Sequence, residues 1–170
     1  MKKSILLFVV FALSLSIFGC KDDDNSTENV TPKDPIVGTW VSEGNNVAPL
    51  LVYFFKAKKI TATFNENFSY TVVQIDSSNG STTFTGTYTL TKGTTGTIYQ
   101  IVVNQQTPSV LIAEGIYQID TAAEPDGMKY EVIQTTPAIG ATPPTVTAGF
   151  GSSSGGALGT SNIQKYVRVQ

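Results

Sequence analysis

The stretch "TTFTGTYTL" (residues 82–90) alternates without a break, with Phe84, Gly86, Tyr88 and Leu90 on one face and threonines on the other. Successive side chains of a strand point to opposite faces, so this is the pattern of a half-buried β-strand. Just before it stands "DSSNGS" (76–81), whose Asn79-Gly80 pair suits the positive-φ positions of a tight hairpin turn. The preceding run "FSYTVVQI" (68–75) is then the returning arm of that hairpin, and the fold begins as antiparallel β-structure.

Working outward, the same grammar repeats. Toward the N-terminus lie "KITATF" (59–64), the turn "NEN" (65–67), and a first strand over 36–42 in "PIVGTWVSEG". Toward the C-terminus, "TKGTTG" (91–96) turns the chain into "TIYQIVV" (97–103), and "NQQTPS" (104–109) turns it again. "VLIAEGIYQI" (110–119), the turn "EPDG" (124–127), "MKYEVIQ" (128–134) and "IQKYVRV" (163–169) complete the series. Eight strands joined mostly by short turns make an all-β, antiparallel, up-and-down meander. Closing it into a barrel removes the exposed edges, and an open sandwich is the alternative.

Two segments break the strand pattern. "VAPLLVYFFKAKK" (47–59) carries Leu50, Leu51, Phe54 and Phe55 at helical spacing, followed by lysines, which predicts a short helix over 49–56 after the first strand. A buried strand is the competing reading. Residues 136–162, rich in Gly, Pro, Thr and Ser, form a long loop before the last strand. A loop of that length is usually a functional lid or a loose surface excursion. The strand at 110–119 is apolar on both faces, so one face needs a cover, for which the 49–56 helix is the candidate.

Composition narrows the chemistry. The chain has no histidine and one cysteine, Cys20, with 11 basic and 13 acidic residues. The commonest general base and zinc ligand is therefore missing. Nucleic-acid binding is not expected without a basic face. Most carboxylates fall in turns. Glu114 lies mid-strand and reads as a solvated outer residue, with no second carboxylate to pair with it. "GFGSSSGG" (149–156) lacks the Lys-Ser/Thr of a phosphate-cradling loop. No enzyme activity, metal or cofactor is expected.

The N-terminus supplies a location. Lys2 and Lys3 precede an apolar run over 4–18, the layout of a secretory signal and short for a membrane span. The residues "IFGC" that follow resemble a bacterial lipobox. The resemblance implies a lipoprotein signal peptide at 1–19, lipidation of Cys20 and a flexible acidic tether over 20–34. The run Lys21, Asp22, Asp23 and Asp24 is either the solvated start of that tether or an address, since it is similar to a surface-export signal of some Gram-negative lipoproteins. The implied place is the outer membrane of a Gram-negative bacterium, surface-exposed and attached through the lipid anchor.

From residue 35 to 170 the chain resembles a lipocalin-like domain. The resemblance rests on "GTW" (38–40) in the first strand and Arg168 in the last, the chain's single Trp and single Arg. "GTYTL" (86–90) adds to it. In such barrels the Trp plugs the closed end and the Arg packs across its indole, so Trp40 and Arg168 are the expected barrel-closing pair. The implied function is binding of a small apolar or amphipathic ligand. Candidate contact residues are Leu51, Phe54, Phe55, Tyr70, Tyr88, Tyr99, Tyr117 and Phe150, with the strand tyrosines either lining a cavity or simply packing the core. The alternative is an accessory module that docks a protein or glycan through its outer face or the 136–162 loop.

Overall fold

Alternation carries the chain through a closed antiparallel barrel. A computed structural model describes residues 33–93 and 96–169. Among them, eight strands close in sequence order: β1 (Gly38–Glu43), β2 (Ala57–Phe64), β3 (Ser69–Asp76), β4 (Ser81–Thr91), β5 (Ile98–Thr107), β6 (Leu111–Asp120), β7 (Gly127–Thr136) and β8 (Gln164–Arg168). β1 pairs with both β2 and β8, so no sheet edge remains open. The expected sandwich alternative is not adopted. Residues 32–170 form one compact unit that contains the whole barrel and its core, and such a unit can fold by itself. Cys20, Lys21, Asp22, Asp23 and Asp24 lie outside the described residues.

The inward residues keep one parity on each strand. Trp40, Ala62, Phe64, Tyr70, Tyr88, Ile101, Val103, Ala113, Tyr117, Met128 and Tyr166 form the core. Gly86 and Gly38 are both placed by close approach. A Cβ at Gly86 would sit 2.0 Å from the Asn104 carbonyl oxygen, where β4 and β5 shift register. At Gly38, whose φ is +138°, a Cβ would lie 2.6 Å from Arg168 Nη1.

One end of the barrel is shut. The chain enters across it, burying Ile36 and Val37, and the Ile36 carbonyl accepts a 2.7 Å bond from Trp40 Nε1. The Arg168 guanidinium carbon lies 4.2 Å from the Trp40 ring centroid. Its Nε donates to Asp126 at 2.8 Å and its Nη1 to the Val37 carbonyl at 3.1 Å, while Nη2 donates to the Pro35 carbonyl. Trp40 is thus stacked on one partner and hydrogen-bonded to another.

The helix α1 (Pro49–Phe55) follows β1, as the spacing predicts, and Lys56 ends it in a left-handed conformation. It is not the cover for the second face of β6. That cover is the 136–162 segment, which carries two short 3₁₀ turns. Glu131 on the outer face of β7 is fully buried, and its carboxylate accepts from Gly151 N (2.6 Å), Ser153 N (3.2 Å) and Ser153 Oγ (2.6 Å). Ile116, cross-strand from Glu131, is equally buried. The segment is thus latched to the outer wall. One further boundary differs from expectation: 104–107, read as a turn, continues β5. The polar Asn/Gln run there stays in the ladder because its backbone pairs with both β4 and β6.

Candidate functional site: a cavity at the open end

In an up-and-down barrel, alternate connections lie at the same end. α1, the β3–β4 turn, the β5–β6 turn and the start of the 136–162 segment therefore surround the end opposite Trp40. A cavity of about 320 Å³ lies inside it. At about 30 Å³ per water of liquid volume, that is the space of roughly ten waters. It sits at the small end of the range for ligand clefts.

The walls are built from the inward parity of five strands: Ile60 and Ala62 (β2), Val72 (β3), Phe84 (β4), Val103 (β5), and Leu111 and Ala113 (β6). Val132 of β7 completes the apolar side, and Leu51 and Phe55 of α1 overhang the mouth. Near the rim stand Gln74 and Gln105, neutral groups that can hydrogen-bond without bringing a charge. Among the described residues no charged side chain lines the space.

The floor is aromatic. Phe64, Tyr70, Tyr130 and Tyr166 meet there, with ring centroids 6.4 Å apart for Phe64–Tyr70 and Phe64–Tyr130, and 6.1 Å for Tyr130–Tyr166. Burial pushes the Tyr70 hydroxyl up to about 12. Burial likewise holds Tyr130 and Tyr166 well above the ordinary phenol value, with Tyr166 and Tyr70 adding to the effect at Tyr130. These phenols stay protonated near neutral pH, so each keeps an O–H that can donate.

The expected contact residues divide. Leu51, Phe55 and Tyr70 line the cavity. Phe54 does not: it is 66% exposed and touches Tyr53 edge to face at 5.0 Å. Tyr88 is spent at the closed end, where its hydroxyl donates to the Asn65 carbonyl at 2.8 Å and its ring packs on Phe64 and Phe68. Tyr99 and Tyr117 line a separate cleft of about 230 Å³ beside Asp34, Pro35 and Lys92. Phe150 lies on the outer side, its ring 5.9 Å from Lys129 Nζ. Tyr88, Tyr99, Tyr117 and Phe150 fail as cavity residues because a strand tyrosine reports its face but not its height in the barrel, and a loop aromatic reports neither.

Val72, Phe84, Val103 and Leu111 were missed, although they share the inward parity of Tyr70, Tyr88, Tyr99 and Tyr117 on their own strands. The support of α1 also carried no signal. Gln164 of β8 accepts the Ala48 N–H at 2.7 Å through a buried Oε1, fixing the start of the helix. Glu114 faces outward and accepts from Thr135 Oγ1 at 2.9 Å. Among the described residues no group of three or more acidic, His or Cys side chains is placed to hold a metal. A wider depression of about 510 Å³ is open to solvent and of mixed lining, with Gln118, Asp120, Lys129 and Lys165 beside Ile119, Met128 and Val167. No protein-family model, curated protein or solved structure matches the chain.

Proposed function

We propose that this is a lipid-anchored protein of the cell envelope whose lipocalin-like barrel binds a small amphipathic molecule. The observation that carries the reading is the cavity itself: apolar walls, an uncharged rim and a floor of protonated tyrosines. The matching ligand has an apolar body and a hydrogen-bond acceptor such as a carbonyl, carboxylate or hydroxyl oxygen that reaches the floor. Attachment through Cys20, and outer-membrane exposure through Lys21–Asp24, are the sequence part of the proposal. Two acyl chains on Cys20 would suffice for stable anchoring.

Native mass spectrometry of the 32–170 fragment purified from its own cells tests the reading. A co-purified small molecule, lost when Ala113→Phe fills the cavity, is the expected result. A fragment that is empty from its own cells and binds no fluorescent amphiphile in titration overturns it. One observation favours the docking alternative: Phe54 and Phe55 are 66% and 59% exposed.

A further inference from the structure

We infer that the open end of the barrel seats on an anionic lipid surface, with the aromatic side chains of α1 in the interface and lysines behind them on the headgroups. Val52, Tyr53, Phe54 and Phe55 are consecutive, so together they cover most of a helical turn, yet all four are exposed, at 43%, 71%, 66% and 59%. An amphipathic helix buries its apolar stripe against the core. Here that contact falls to Leu51, with Phe55 only edging the cavity mouth, and Val52, Tyr53 and Phe54 point their apolar surface to the outside. Exposed apolar surface of this kind marks a face that meets another phase or partner.

Charge selects the partner. No acidic residue lies in α1, and Lys56, Lys58 and Lys59 follow it directly. Lys56 Nζ donates to the Tyr53 carbonyl at 3.1 Å and lies 5.7 Å from the Tyr53 ring centroid, so the cation is held beside the aromatic tip. Lys59 is neutralised by Glu43 at 3.4 Å, and Lys58 reaches the neutral Asn79. The remaining acid at this end of the barrel, Asp76, is turned onto its own hairpin, accepting from Ser78 N and Gly80 N. Aromatic rings with lysines beside them are the composition of interfacial segments, and anionic headgroups attract the cations.

Shape favours a bilayer over a protein. Val110 in the β5–β6 turn and Ile139 just beyond β7 are 78% and 58% exposed, and their connections share the end with α1. The apolar tips therefore ring an opening as separate points. A protein partner needs a continuous packed core, whereas a fluid interface receives separate tips around a gap. Where the cavity holds an amphiphile, the same seating opens it directly onto the phase in which amphiphiles reside.

Co-sedimentation of the 32–170 fragment with vesicles tests this, comparing phosphatidylcholine alone with phosphatidylcholine mixed with phosphatidylglycerol. Binding to the mixed vesicles that weakens in high salt is expected. Lys56→Gln and Lys58→Gln should each lower it about fivefold, and Phe54→Ser about tenfold or more. Val167→Ser, an exposed change on the outer wall, should leave it unaltered, and Trp40 emission verifies that each variant is folded. No binding, equal binding to both vesicle types, or full binding by Phe54→Ser overturns the inference. So does a protein partner captured through α1 in place of vesicles. Ala113→Phe separates this inference from the ligand reading, because filling the cavity should leave vesicle binding intact.

Discussion

Arg168 and Trp40 close the barrel as a stacked pair, 4.2 Å from guanidinium carbon to ring centroid, with the Arg held in plane by Asp126 and by backbone carbonyls of the entering chain. They are directly paired across β1 and β8, the last seam of the sheet, so one side chain ties the first strand, the last strand and the β6–β7 turn together. A planar fork can stack and donate sideways at once; an ammonium cannot.

Arg168→Lys should therefore destabilise the domain by about 1–2 kcal/mol, and Arg168→Ala by about 2–4 kcal/mol, since the alanine also strands Asp126. Trp40 is the chain's single Trp, so its emission reports the site without interference. Denaturant unfolding followed by that emission checks both numbers. Equal stability of Arg168→Ala and the native domain would remove the seam from the account.

Gly38→Ala attacks the same seam from below. The added Cβ would meet Arg168 Nη1 at 2.6 Å in a backbone conformation that side chains rarely adopt. About 2 kcal/mol is expected from strain and displacement of the guanidinium. In the Arg168→Ala background the clash is gone, so the glycine change should cost less there; a double-mutant cycle measures the difference.

The 136–162 segment hangs on Glu131. Glu131→Ala leaves two backbone N–H groups and the Ser153 hydroxyl without their acceptor, at about 2–4 kcal/mol. Ser153→Ala removes one donor and should cost about 1 kcal/mol. Limited proteolysis discriminates: the first cut in Glu131→Ala should fall within 136–162, with the barrel surviving. Cleavage elsewhere would mean that the latch does not hold the segment.

These particulars also show what the sequence carried. Thr82–Leu90 was legible because β4 is half-buried, and burial writes alternation into a strand. Residues 104–107 were not, because the polar end of β5 pairs through its backbone and leaves no apolar trace. Glu131 has an outward parity, which ordinarily means solvent; what buries it is a Gly/Ser loop some twenty residues further along the chain, with no hydrophobic signature of its own. Ile116 gave a partial hint, since an apolar outer face requires a cover, but it could not say which segment supplies one. For the cavity, parity identified which residues face inward, while height along the axis, which separates Tyr70 from Tyr88, depends on register.

Alkaline pH should open the barrel through its tyrosines. Burial pushes Tyr70 up to about 12, and Tyr88 to about 12 through burial with a lesser contribution from Asp34. Tyr117, Tyr130 and Tyr166 are raised further, chiefly by the same desolvation. In the unfolded chain each titrates near 10. Between those values the folded state holds more protons than the unfolded one, so stability must fall as pH rises. Below about 10 the contribution is fully present and flat; from about 10 to 12 it is lost as the unfolded chain gains the ionised form. Circular dichroism and tyrosinate absorbance, recorded together along the titration, should show the buried phenols ionising as the strands are lost. Early ionisation of all the tyrosines with the barrel intact would mean that the floor of the cavity is already wet, and would count against an apolar ligand there.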